Sequence, residues 1–517
     1  MMIPARTRDY AAFLLSGLLA QAAEGPGTGE KPWPGRNDAA LYHWFSLPIE
    51  VRGLPAQAEF VPVSCSIDFS AILKRLNAPG TVDERSLRLY RVAKDESETE
   101  EPVQFSSSPQ PRPKERRMLP GSPSGASYVG EYGAEETPDP VKVTGELAWA
   151  ARAGALPVAS APEIRDTTPA TQAGARYRLK FGTLRAGTLI QVPFPPQNLR
   201  AFDVAGRATP VPWFPRLQLH PQWPMDGAVQ ILDQNQLVTS YRLGPIVGQA
   251  GSPALSIRRP FFYPVTGPDG IALTEFGKPH DPTGSHAHHY SLWIAHASVN
   301  GQDYWSEKGG TIAHEQFELM EDGPVFCRLI QKTRWILKGE ELLHERRQIT
   351  VYATPKDFRL MDIDLEFTPA GAVPVTLGKT TFGFLAARVA QSMTVFDGGG
   401  EILNAAGDRN EQGAHLKRAA WLDQSGPVAP GQWGGLAILD HPRNVNHPTM
   451  WHCRNDGWAG AALSGDNART LEPESKLRLR YRVHLHRHDA ARGQVARRFE
   501  EFSAAPLIEV GAAKAEK

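Results

Sequence analysis

Five of the sixteen histidines fall in the run H-D-P-T-G-S-H-A-H-H-Y-S-L-W-I-A-H, from His280 to His296. Imidazole is the side chain that gives or takes a proton near neutral pH, and it is also a common metal ligand. The first half of the run is turn chemistry, Asp281-Pro282 and Thr283-Gly284-Ser285, where backbone is freest to present side chains. From His288 the chain passes into Leu292-Trp293-Ile294-Ala295, an apolar run that reads as a buried strand. A loop of imidazoles pinned to a core strand can hold acid and base groups still, so His286, His288 and His289 are the first catalytic candidates. A spacing of two also returns His286 and His288 to one side of an extended loop. A metal bound by His280, His286 or His288, completed by Asp281 or His441, is therefore the alternative chemistry. No H-E-x-x-H helix or paired C-x-x-C accompanies it, and no cofactor is expected.

Further ionisable groups follow. Asp440 and His441 end the apolar segment Gly434–Leu439 and are the expected catalytic counterpart of the loop, with Trp451, His452 and Arg454 close behind. Arg259 and Arg454 are candidates to hold a substrate carboxylate or hydroxyl, and His314, beside Glu315, is a further acid/base candidate. His484, His486 and His488 alternate and are expected on a solvated strand face. Nine of the twelve tryptophans lie beyond residue 200. Flat aromatic faces stack on sugar rings, so Trp293, Trp305 and Trp451 join Arg259, His296, His314 and Arg454 as the expected substrate-binding set.

What must position these groups is a β-scaffold. A chain of 517 residues is too long for one ordinary core. Its 47 glycines and 44 prolines favour many short strands over long helices. Alternation with period two marks 60–69, 86–92 and 175–181, as expected for a small antiparallel sandwich over 40–192, with a Ser/Pro/Glu/Lys-rich mobile insertion at 95–139. A Pro-rich bridge at 193–225 leads into 226–490. There, strand-like runs such as 345–352, 358–365 and 477–484 predict a large antiparallel two-sheet sandwich with one wet face. A helix and tail are expected over 491–517. The fold class is all-β.

Composition excludes some partners. Lys plus Arg equals Asp plus Glu, 56 each, so no basic excess points to nucleic acid. Arg6 and Arg8, the apolar Ala11–Ala20 and a small-x-small Ala20-Gln21-Ala22 read as a signal peptide over 1–22, followed by a linker at 23–39. The expected location is secreted or periplasmic. No stretch is long and apolar enough for a transmembrane span. Cys65, Cys327 and Cys453 are too scattered for a disulfide framework.

Several motifs in order carry a resemblance: R-P-F-F-Y-P-V (259–265), G-P-D-G (267–270), the histidine loop, V-N-G-Q-D-Y-W (299–305), K-R-A-A-W-L-D-Q-S-G (417–426) and G-L-A-I-L-D-H-P (435–442). Over about 250–488 the chain resembles the PmoA-type proteins, a bacterial domain of unknown function often labelled "methane oxygenase PmoA". The resemblance implies a fold similar to the galactose-mutarotase supersandwich, a scaffold of sugar epimerases, lyases and some glycosidases. Two departures stand out. The loop is longer than the compact D-H-P-H-H of many relatives, and Thr380-Thr381-Phe382 stands where relatives often carry an acidic residue after the equivalent of Lys379.

The reading that results is an exported protein acting on a carbohydrate substrate by histidine-based acid/base chemistry, as a lyase, glycoside hydrolase or epimerase. The alternatives are a non-catalytic glycan-binding protein and a metal-dependent oxidoreductase. The region 40–192, with no ionisable cluster to rival 280–296, is expected to be dispensable for the chemistry.

Overall fold

The computed structural model describes residues 42–78, 80, 82–107, 144–153, 173–184, 216–221, 227–245, 257–277, 286–306 and 308–516. The segments expected as signal peptide and linker lie outside these residues, as do His280 and Asp281.

Among the described residues, the antiparallel strands form two units. In the first, a six-stranded sheet faces a three-stranded sheet of Val61–Asp68, Thr144–Ala151 and Gln104–Ser107. Alternation does what the sequence required: Phe45, Leu47, Ile49 and Val51 point inward from one strand and meet Val63, Leu147 and Trp149 from the other sheet. The expected insertion at 95–139 begins later than its composition suggests, since Glu98–Glu101 and Gln104–Ser107 are strands. Both are short and polar, and pairing with Val82–Val92 and with Thr144–Ala151 supplies what their own apolar content does not.

The second unit is a sandwich of two eight-stranded sheets. One runs, in spatial order, Met450–Cys453, Trp458–Ala462, Gly383–Arg388, Leu292–His296, Phe261–Val265, Gln236–Arg242, Ala228–Asp233 and Leu217–Pro221. The other runs Thr311–Glu321, Phe326–Leu337, Glu340–Tyr352, Phe358–Pro369, Leu477–Arg487, Gln432–Asp440, Trp421–Ala429 and Glu401–Asn404. Leu217–Pro221 thus belongs to the sandwich rather than to a Pro-rich bridge ending at 225. A single core lies between the sheets, from Leu292, Ile294 and Trp451 on one side to Trp335, Ile363 and Val483 on the other. Among the described residues, no helix is long and apolar enough to cross a membrane.

The units are joined by more than a linker. Gln104 Oε1 accepts from Val325 and Phe326 N–H at 3.3 and 3.1 Å, and Arg328 pairs with Glu146 at 3.0 Å. A Cβ on Gly323 would lie 2.0 Å from that Gln104 oxygen, so a larger residue there would push the Gln104 side chain out of these bonds. The helix Val495–Ser503 contributes Glu501, buried, which accepts from the backbone of Glu59 and Phe60 and from Arg498. After it, Leu507–Val510 and Lys514–Ala515 return to pair with Tyr42–Leu54, so the expected tail is part of the first unit's sheet. Dispensability of the first unit is therefore recast as a test of folding. A chain beginning at residue 216 would uncover Phe326, Tyr352 and Phe358 and leave the tail without its partner strand. Such a chain is expected to self-associate, read as a higher sedimentation coefficient per unit mass of chain than the full-length protein gives.

Candidate functional site

Across the outer face of the first eight-stranded sheet, register aligns Trp293, Ala386, Gly460 and His452 in one row. The two small residues in the middle let the large rings pack close over the sheet: Trp458 would lie 3.6 Å from a Cβ on Gly460. Next to this row, Arg388 is opposite Trp458. The histidine loop folds down onto these residues: His289 stacks on Trp293 at 5.3 Å and 22° and meets Trp458 at 5.3 Å and Trp305 at 6.2 Å. His286 and His288 lie 5.1 and 4.6 Å from the His289 ring. From the far side His452 approaches Trp458 at 4.2 Å, and His415, after the short helix Asn410–Ala414, approaches His452 at 4.6 Å. Phe382, 38% exposed, stacks over Trp458 at 5.8 Å and 16°. Five imidazoles thus surround one aromatic floor.

Two buried arginines hold the arrangement. Arg259 donates to the carbonyl oxygens of Tyr304 and Trp305 at 2.9 and 2.7 Å and to that of His288, with its guanidinium 4.6 Å from the Tyr290 ring. It grips backbone, so its place is a clamp on the loop and on Trp305 rather than the expected contact to substrate. Asp303 completes the hold on Trp305, accepting from the N–H of Trp305 at 2.7 Å and of Ser306 at 3.0 Å. Arg388 donates to His289 Nδ1 at 3.1 Å and to the backbone oxygen and Oδ2 of Asp456 at 2.7 and 3.3 Å. Asp456 Oδ2 in turn lies 4.0 Å from His286 Nε2.

Electrostatics divides the imidazoles. Burial, then the neighbouring Arg259 and His286, holds His288 down to about 4, and burial, then His415 and Arg454, holds His452 down to about 3. Burial and Arg388 lower His289 further. These three are neutral at neutral pH. His286 is 31% exposed, with a carboxylate beside it. His415 directs Nδ1–H to the Cys453 carbonyl at 2.9 Å, which leaves its Nε2 lone pair available.

A stability prediction follows. Because the folded-state value of His452 lies below that of an unfolded imidazole, the unfolded chain takes up the proton first as pH falls. The resulting stability is present above about pH 6.5 and is lost as pH drops toward the folded value of about 3. His452→Gln is expected to flatten the pH dependence of unfolding free energy over that window by up to about 1.4 kcal/mol per pH unit. Denaturant titrations of both proteins at several pH values measure it, and parallel slopes would place the imidazole in a more solvated setting.

Other expected residues lie elsewhere. Asp440 is buried and accepts from Asn444 at 2.8 Å, His447 at 2.8 Å and Thr449 N–H at 2.9 Å, so it caps the 441–449 loop; burial raises its carboxyl. His441 packs edge-on against Phe502 of the Val495–Ser503 helix. Both belong to the second eight-stranded sheet, away from the histidine loop. Trp451 points into the core and donates to Ala419 O, because alternation sends it to the face opposite His452. His296 also faces the core, stacked on Phe384 with Nε2 3.2 Å from Gly378 O. Arg454 is half-exposed and paired with Glu411 at 2.9 Å, on the hairpin that carries Asp456. His314 sits between the sheets, bonded to Gln331 at 2.7 Å in a buried network with Tyr241, Arg347 and Glu345. His484 and His486 are buried, not solvated, and His486 pairs with buried Asp423 at 2.8 Å. Among the described residues, no group of three His, Cys, Asp or Glu could hold a metal ion. Sequence reasoning singled out none of His415, Arg388 and Asp456, and met Phe382 only as part of a departure from relatives.

A family model described as a family of unknown function, DUF6807, matches residues 228–500, which include every residue of the site. No curated protein matches the chain. Among solved structures, a glycosyl hydrolase family 38 protein from Enterococcus faecalis superposes with TM-score 0.36 at 10% identity, covering 90% of this chain and 47% of that one. Heparan sulfate lyase HepC from Pedobacter heparinus gives TM-score 0.25 at 10% identity over 53% and 35%. The chain spans about half the length of the first of these, and likeness of this degree carries no activity across.

Proposed function

Since the chain belongs to DUF6807, a family of unknown function, its activity has to be read from the site, and we propose that it is a carbohydrate-active enzyme working by histidine acid/base chemistry. One observation carries the reading: His286 beside Asp456 and His415 beside His452 flank Phe382, 38% exposed and stacked on the buried Trp458, which rests in turn on Trp305. Aromatic rings of this kind accept the apolar face of a sugar. His286 is partly exposed with the Asp456 carboxylate 4.0 Å away, which places it to deliver a proton to a bound substrate. His415, with Nδ1–H engaged by the Cys453 carbonyl, is placed to take one on Nε2. Proton delivery and removal on two sides of a sugar serve β-elimination, hydrolysis and epimerisation alike, the three reactions expected from the sequence.

The resemblance to PmoA-type proteins supports the same reading through the mutarotase-like scaffold it implies. The arginines, the apolar segment and the small-x-small site of residues 1–22 support export to the periplasm or beyond.

The test begins with a glycan array on the full-length protein, followed by turnover assays of each bound glycan for reducing ends, unsaturated products and epimers. The proposal expects at least one glycan to be converted and the conversion to depend on His286 and His415. Binding that survives alanine at both positions, with no product of any kind, would establish a glycan-binding protein instead.

A further inference from the structure

We propose that Arg388 locks His289 into the tautomer protonated on Nε2, making His289 a fixed hydrogen-bond donor to a substrate oxygen and not a base or a metal ligand. This rests on the site being the one just described, but its geometry stands apart from the choice of substrate. A guanidinium has only donors, and Arg388 Nε directs its N–H at His289 Nδ1 over 3.1 Å. Nδ1 must therefore carry a lone pair, which puts the proton of the neutral ring on Nε2. A metal on Nε2 would require that nitrogen to lose its proton while Nδ1 is still accepting, so ligation is disfavoured.

The surroundings keep the ring both neutral and still. Trp293 lies parallel to it, Trp458 and Trp305 close two further sides, and the residue is almost wholly buried. Among the described residues, the charged groups around the pair are Arg259, Arg388, Asp456 and Glu275, with His286 and His288 as titratable neighbours. The carboxylates lie against the guanidinium: Asp456 at 3.3 Å and Glu275 at 4.0 Å from Arg388. A second cation on His289 would therefore be added beside Arg388 in a buried setting. A neutral imidazole held this way can stabilise negative charge growing on an oxygen without titrating in the working range. Arg388 is a positioning residue in this scheme; His289 is the catalytic one, and His286 and His415 move the protons.

The test uses the full-length protein labelled with ¹⁵N in its histidine rings, and long-range proton–nitrogen NMR. The His289 signals are assigned by their absence in His289→Gln. The proposal expects an unprotonated Nδ1 and a protonated Nε2 that do not change between about pH 5 and 8, the span in which a free imidazole titrates. In Arg388→Gln the signals are expected to shift, and Arg388→Lys, which restores a donor, is expected to return them toward wild type. A proton on Nδ1, a titration inside that pH range, or signals indifferent to both substitutions would each overturn the proposal. If the Arg388 variants do not fold, the wild-type titration decides alone. Failure to find a carbohydrate substrate would defeat the proposed function and leave this result standing.

Discussion

Alanine at His286 is expected to cut turnover of the carbohydrate substrate ~10²–10⁴-fold while leaving thermal stability nearly unchanged. The ring is 31% exposed and lies 4.0 Å from the Asp456 carboxylate, so little packing is lost. Asp456→Asn removes the carboxylate 4.0 Å from that ring and the partner of Arg388, and is expected to lower turnover as well. His441→Ala provides the contrast, because its ring packs on Phe502 across from the other sheet. It is expected to cost stability and spare turnover. Equal turnover losses at His286 and His441, with both proteins folded, would mean that the site has been placed on the wrong sheet.

The largest stability effect is expected inside the sandwich. Glu345, fully buried, accepts from Thr333 at 3.0 Å, from Trp335 Nε1 at 2.8 Å and from Arg347 at 2.7 Å. Arg347 is itself completely buried and also donates to Tyr241 at 3.0 Å. Glu345→Ala removes the counter-charge and leaves a guanidinium in a dry core, a change that costs about 3–5 kcal/mol in comparable settings. The double variant Glu345→Leu, Arg347→Met removes both charges and should recover much of that loss. Equilibrium denaturation of the two variants measures it. A single variant within about 1 kcal/mol of wild type would show that water reaches the pair.

The sheets were legible because their strands alternate: 345–352, 358–365 and 477–484 fall within the strands Glu340–Tyr352, Phe358–Pro369 and Leu477–Arg487. The strand that ends the histidine run was legible too, since the apolar Leu292–Ala295 falls within Leu292–His296. Illegible were the groups that reach it from far along the chain. His415 and Asp456 follow no motif, and only the register of Met450–Cys453 against Trp458–Ala462 brings them near. Face assignment failed where alternation was not applied within a motif. Trp451 and His452 were read together, yet adjacent residues of one strand point to opposite sides. Arg259 and Asp440 show another limit. A buried charge next to a motif looks catalytic in sequence, whereas here Arg259 satisfies carbonyl oxygens and Asp440 satisfies loop donors. Nothing in residue type distinguishes those roles.

The return of 507–515 to the strand Tyr42–Leu54 has a consequence for synthesis on the ribosome. Glu59 and Glu501, which meet at the same junction, are 442 residues apart. At translation rates of about 5–20 residues per second, one edge of the first strand waits on the order of 20–90 s for its partner. During that interval the nascent first unit presents an open strand edge, the feature most prone to pairing with another chain. Crowding of ribosomes on one message is thus the circumstance in which this protein is most exposed to misassembly. Chaperones that shield β-edges are expected to matter for its yield more than for its final stability.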